Sequence, residues 1–279
     1  MKFTLQTSTG QPYEAYAYTG GKAFDATKPT LVFIHGVLND HSVWILQSRY
    51  LAHHGFNVLA VDLPGHCRSG GDAPSTVEEA SQFIEDMLDA AGVEKAAMVG
   101  HSWGSLIALE TAARLKDRIT HLALVGTAFS MKVSPALIDA SLNAPMKALH
   151  MVNVFSRSTL AAPPSALGPG TWVYGASMAL GRRVLASNTS VNVFHRGFVA
   201  CDSYANGLAA MDAVTCPILF LLGATDQMTT PKAAKPLIEQ AKAGGKTYNV
   251  VNVPMGHHQM SESPEETLQA LTAFLGVTV

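Results

Sequence analysis

The pentapeptide Gly100-His101-Ser102-Trp103-Gly104 constrains this chain more than any other stretch of it. A short apolar run, Ala96 to Val99, precedes it, and Ser105 to Leu115 follows with the character of a buried helix. Glycine-X-serine-X-glycine between a strand and a helix is a turn so sharp that its central residue takes a strained backbone conformation. A Cβ on either glycine would run into the neighbouring strand or helix, which gives both glycines a steric role. The turn lifts the Ser102 hydroxyl clear of the sheet at a helix N-terminus, whose dipole favours developing negative charge. Ser102 is the candidate nucleophile, against the blander alternative of an ordinary strand-to-helix turn with a serine cap.

Around this turn the chain alternates short apolar runs with helical stretches, the rhythm of a mostly parallel sheet covered on both faces. The runs are Leu31–Ile34, Val58–Val61, Ala96–Val99, Leu122–Val125, Ile218–Leu222 and Tyr248–Val253, preceded by a hairpin over Lys2 to Thr19 that turns near Thr9–Pro12. Ser75, Thr76 and Glu79 open a helix with capping-box residues. Val77, Ala80, Phe83, Ile84, Met87 and Leu88 then recur at helical spacing, and Gly92 closes it. From Phe129 to Leu208 the rhythm breaks into short helices rich in Ala, Met and Phe, interrupted at Ala161–Pro164 and Gly168–Gly170. We therefore expect residues 1–128 and 209–279 to form an α/β core and residues 129–208 a helical cap inserted before the penultimate strand.

A nucleophilic serine needs a base to take its proton, and the base needs an acid to orient it. Loops converge at the carboxyl ends of parallel strands, and two such ends carry suitable groups. Asp226 follows the run ending at Leu222, and His257 follows the run ending at Val253. The chain order Ser102, Asp226, His257 differs from both main serine-protease orders. Asp202 and Asp212 stand at no strand end, and Gly126-Thr127-Ala128 offers no acid after Leu122–Val125, which strengthens Asp226. His258 adjoins His257 and is a candidate lining residue. Asp62 reads as a loop organiser through hydrogen bonds to backbone N–H groups.

With these residues in place, the chain resembles the α/β-hydrolase superfamily over almost its whole length outside the cap. Phe33-Ile34-His35-Gly36 is similar to its His-Gly segment, and Asp62-Leu63-Pro64-Gly65-His66-Cys67-Arg68-Ser69 to its Asp-X-Pro-Gly-X-Gly-X-Ser loop, with Cys67 where glycine is usual. Gly256-His257 followed by Glu262-Ser263-Pro264 matches the spacing around the family's histidine, which favours His257 over His258. The resemblance implies an α/β-hydrolase fold with an oxyanion hole formed by the N–H groups of Val37 and Trp103. Their side chains, with Met131 and His258, are expected to shape a substrate pocket.

The expected reaction is hydrolysis of small to medium esters with an apolar or aromatic part through an acyl-enzyme. Carbon–carbon bond, lactone and thioester cleavage on the same residues, or a slow-turnover ligand receptor, are the alternatives. Serine at the elbow sets aside epoxide hydrolysis by an aspartyl nucleophile, and His35-Gly36-Val37-Leu38-Asn39 departs from the His-Gly-Gly-Pro-Gly of proline iminopeptidases. Eleven histidines include no His-Glu-X-X-His, and no Gly-rich phosphate loop follows a strand, so neither a metal nor another cofactor is expected. A net charge of −2, with no polybasic run, gives no reason to expect a nucleic-acid partner. No stretch has the length of a membrane span. Cys67, Cys201 and Cys216, widely spaced, suit a reducing cytoplasm. A small-molecule ester is the expected partner of a chain that acts as monomer or homodimer.

Overall fold

The computed structural model describes residues 1–25, 27–158 and 172–277. Its eight strands form one sheet in the order β1-β2-β4-β3-β5-β6-β7-β8. The first two, β1 (Lys2–Gln6) and β2 (Pro12–Tyr18), make the hairpin, and β2 runs antiparallel to β4 (Asn57–Val61). The strands β3 (Thr30–Ile34), β4, β5 (Ala96–His101), β6 (Ile119–Val125), β7 (Ile218–Gly223) and β8 (Tyr248–Val253) are parallel. The strand order reverses between β3 and β5, which pair from Thr30 opposite Ala96 to Ile34 opposite Gly100. The loops leaving these two strands therefore emerge side by side at the position where open α/β sheets bind ligands.

Strand alternation sends side chains to two cores. Leu31 and Phe33 pack in one with Trp44, Leu51 and Leu271, under α1 (Ile45–His53) and α11 (Pro264–Leu275). Val32 and Ile34 pack in the other with residues of α2 (Val77–Ala90), α3 (Trp103–Leu115) and α9 (Pro231–Ala243). The α2 helix buries the six apolar positions its sequence spacing singles out. Thr76 Oγ1 accepts from Glu79 N at 3.1 Å, while the Glu79 carboxylate accepts from Ser75 N at 2.7 Å, one residue ahead of the usual box.

Between β6 and β7 lie α4 (Pro135–Asn143), α5 (Pro145–Phe155), α6 (Val173–Ser187) and α7 (Val193–Ser203), with a cluster of their own that includes Leu137, Leu149, Met178 and Phe194. The expected boundary at residue 209 falls inside α8 (Gly207–Ala213), which packs on α3. The reason is the buried carboxylate of Glu110 on α3, which accepts from Tyr204 Oη at 2.8 Å and Asn206 Nδ2 at 2.9 Å. These bonds draw the chain back onto the main core before α8 begins. The expected interruptions at Ala161–Pro164 and Gly168–Gly170 lie outside the described residues.

Asp62 organises its loop through both carboxylate oxygens. Oδ1 accepts from His41 N at 2.9 Å and Oδ2 from Arg68 N at 3.1 Å. Cys67, where the resemblance has glycine, has φ of 46°, a left-handed conformation that glycine takes without strain. All three cysteines are free thiols. No helix among the described residues is long and apolar enough to cross a membrane.

Candidate active site

Ser102 joins β5 to α3 with φ 54° and ψ −121°. Its N–H donates to Val125 O at 2.9 Å, at the end of the next strand, and Ser105 Oγ donates to its carbonyl at 2.5 Å. A Cβ added to Gly100 would stand 2.0 Å from Gly104 O, and one on Gly104 would stand 2.4 Å from Ile34 O. Backbone forms both walls, so neither glycine can be replaced without moving a strand or a helix. Gly104→Ala is expected to cost about 4 kcal/mol or more, roughly 10 °C in Tm. Ser105→Ala, which loses only hydrogen bonds, costs about 1 kcal/mol; a thermal melt of each variant checks the contrast.

His257 follows β8 and is buried. Its Nδ1 lies 2.8 Å from Asp226 Oδ2 and 3.0 Å from Thr229 Oγ1. Asp226, on the turn after β7, accepts at Oδ1 from Met228 N (2.7 Å) and Thr229 N (2.9 Å). Burial by itself raises the Asp226 carboxyl, but the adjacent imidazole and the Thr229 hydrogen bonds outweigh it and hold the group below its ordinary value. With Nδ1 committed to acceptors on one side, Nε2 is the imidazole nitrogen left for a proton from elsewhere.

Two residues to which sequence reasoning gave no role of their own fix the backbone around this histidine. His101 Nε2 donates to His257 O at 2.8 Å; burial first, and then the neighbouring imidazole of His257, push His101 down to about 3, so it stays neutral. The Glu262 carboxylate accepts from His258 N at 3.0 Å and Gly256 N at 3.4 Å. That is the physical content of the Gly-His…Glu-Ser-Pro spacing. Thr229 had a visible signal as well, the Asp-X-X-Thr of a side-chain-capped turn.

Ser102 and His257 both line a cavity of about 250 Å³. Val37 and Met131 line it too, together with Leu137, Met151, Phe198 and Met228. Two expected lining residues do not. The Trp103 side chain is 1% exposed and packed in the main core, because the first turn of α3 turns its face inward. His258 lines an adjacent cavity, since the chain reverses into α10 (Gln259–Glu262) directly after His257. The backbone placement is separate from these side chains. Trp103 is the first residue of α3, so its N–H has no partner within the helix, and Val37 follows Gly36 at the end of the neighbouring β3 loop.

His35 is fully buried. Its Nδ1 donates to Gly36 O at 2.8 Å and its Nε2 accepts from Leu63 N at 3.2 Å, joining the loops after β3 and β4. The one three-residue group with metal-ligand spacing among the described residues, Asp40, His41 and Asp62, does not line the cavity.

Comparison with known proteins agrees with this architecture. Residues 29–162 match the family model described as the alpha/beta hydrolase fold. The dihydrolipoyllysine-residue acetyltransferase component of the acetoin cleaving system of Cupriavidus necator is 36% identical over 111 residues, 39% of this chain and 28% of that protein. The chain thus spans under a third of the length of that curated relative. The enol-lactonase from Burkholderia xenovorans superposes with a TM-score of 0.79 at 21% identity, covering 98% of this chain and 99% of that one. An esterase from Exiguobacterium antarcticum gives 0.79 at 16%, covering 99% and 100%.

Proposed function

We propose that this chain, a member of the α/β-hydrolase superfamily, is a serine hydrolase that cleaves small to medium carboxylic esters with an apolar or aromatic part. The observation that carries the reading is one cavity lined both by a strained serine and by an imidazole whose Nδ1 is tied to a buried carboxylate.

His257 Nε2 takes the Ser102 proton as Oγ attacks the ester carbonyl, and the Asp226 carboxylate stabilises the imidazolium that forms. The carbonyl oxygen gains negative charge, which the N–H groups of Trp103 and Val37 meet beside the helix dipole of α3. The tetrahedral species collapses as the imidazolium gives its proton to the departing alcohol. Water, deprotonated by the same nitrogen, then attacks the acyl-enzyme and releases the acid. The inserted helices act as a cap over this reaction. Methionines at 131, 151 and 228 and phenylalanine at 198 line the cavity, and flexible thioethers accommodate acyl groups of varied shape.

A fluorophosphonate probe is expected to label the wild-type chain once, at Ser102, and to leave Ser102→Ala unlabelled. Turnover of p-nitrophenyl butyrate should fall by on the order of 10⁵-fold in the same variant. Hydrolysis undiminished in Ser102→Ala refutes the proposal, and stoichiometric labelling without multiple turnover replaces it with a ligand receptor on the same fold.

A further inference from the structure

The cavity shared by Ser102 and His257 has a volume of about 250 Å³, below the roughly 300–1,000 Å³ of most small-molecule sites. A second cavity, of about 380 Å³, adjoins it, and the half-buried side chain of Val37 lines both. The α5 helix is also a wall to each, through different faces. Met151 and Phe155, one turn apart, line the first cavity, while Leu149, Val152 and Asn153 line the second. Val37 also meets α7, where a Cβ added to Gly197 would stand 3.2 Å from both methyl carbons of the valine.

The second cavity suits an uncharged, apolar occupant. Leu46, Leu149, Leu180 and Met260 are among its walls. Several of its polar lining groups are turned to the protein. Asn153 Nδ2 donates to Leu149 O at 3.0 Å, and Arg157 donates to Ser177 Oγ while the Glu262 carboxylate offsets its charge. Burial first, and then the neighbouring guanidinium, keep His258 neutral. Leu46 is 54% exposed, apolar surface that an occupant would remove from water.

The chemistry proposed above decides which end of a substrate reaches this space. The departing alcohol takes its proton from His257 Nε2, so it stays in the first cavity, which the His257 imidazole lines. The carbonyl oxygen is drawn to the N–H of Val37. Only the far end of the acyl chain is then free to leave, and the residue it passes is Val37. We infer, on the basis of that ester hydrolysis, that the preferred substrates are esters of linear medium-chain fatty acids, whose acyl tail runs from Ser102 past Val37 into the second cavity. Each methylene fully buried is worth roughly a factor of four in binding. A decanoyl chain therefore gains over a butyryl chain that the first cavity already contains.

The test compares kcat/KM for p-nitrophenyl decanoate and p-nitrophenyl butyrate at concentrations where both are monomeric. The decanoate-to-butyrate ratio should be at least ten in the wild-type chain. Ala176→Phe, a substitution at an exposed position that fills the second cavity, should lower that ratio at least tenfold. Leu46→Asp, which sets a charge in the same wall, should lower it too. A wild-type ratio below ten, or a ratio that Ala176→Phe leaves unaltered, overturns the inference while ester hydrolysis stands. Should Ala176→Phe fail to fold, Leu46→Asp decides by the same criterion. Butyrate turnover that is absent, or that persists in Ser102→Ala, removes the hydrolysis itself and this inference with it.

Discussion

Asp226→Asn is expected to lower kcat on p-nitrophenyl butyrate by about 10⁴-fold with KM changed only a few-fold. The size of the effect follows from which oxygen of Asp226 does what. Oδ1 is held by the backbone N–H groups of Met228 and Thr229, at 2.7 and 2.9 Å. An asparagine must keep its carbonyl oxygen there, since an amide nitrogen facing two donors would leave both backbone hydrogens without an acceptor. The amide nitrogen then occupies the place of Oδ2, 2.8 Å from His257 Nδ1, and donates to it. The imidazole is forced into the tautomer with its proton on Nε2, where it cannot accept one from Ser102. Fold and cavity are unchanged, so binding survives and chemistry does not. Thr229→Val provides the contrast. It removes one acceptor at 3.0 Å from Nδ1 but leaves the carboxylate and the tautomer, so a loss of about tenfold is expected. Fluorophosphonate labelling should slow in parallel with kcat in both. An Asp226→Asn enzyme within tenfold of wild type would show that the carboxylate does not set the tautomer.

Local chemistry made much of this architecture legible. Strands β3 to β7 announce themselves because each carries an unbroken apolar run in the part of the sheet buried on both faces, and α2 because its apolar spacing and its caps agree. The turn at Ser102 was readable for a similar reason, since Gly100 and Gly104 are required by backbone walls that no side chain could relieve. What escaped was set by tertiary contact. Nothing near residue 101 in sequence says that its imidazole will reach the carbonyl of His257, 156 residues away. The side chain of Trp103 was expected at the cavity because the residue adjoins the candidate nucleophile, yet helical phase turns it into the core. The inserted segment was bounded too late because its end is fixed by Glu110 on a distant helix, through Tyr204 and Asn206.

Stability should drop steeply as the medium becomes mildly acidic, and the buried histidines set where. His35, His66 and His101 are each at most 1% exposed. Burial is the largest cause of a lowered imidazole pKa in all three, with His66 pushed to about 4 and His101 to about 3. In the unfolded chain each titrates near 6.5. Below that value the unfolded state binds protons that the folded state refuses, so the free energy of unfolding falls as pH falls. The contribution is fully present above about 6.5 and disappears between there and the folded values. Each such group gives a slope of up to about 1.4 kcal/mol per pH unit, so His66 and His101 together give nearly 3 kcal/mol per pH unit between about pH 6 and 4.5, and His35 acts in the same direction, a large share of a typical domain's stability. The depressed carboxylates of Asp40 and Asp226 act lower. Burial opposes ionisation at both, but hydrogen bonds and nearby cations prevail, placing Asp40 at about 2, so their loss begins only below pH 4 or so. Urea denaturation should therefore give a midpoint that is flat from pH 8 to 7 and collapses between pH 6 and 4.5. His66→Asn keeps a donor for Pro64 O, which His66 Nδ1 reaches at 3.0 Å, while removing the titrating ring. It should reduce the slope by about 1.4 kcal/mol per pH unit. A profile level down to pH 5, or a slope unaltered in that variant, would mean that these imidazoles are protonated in the folded chain and that the pockets around them admit a charge.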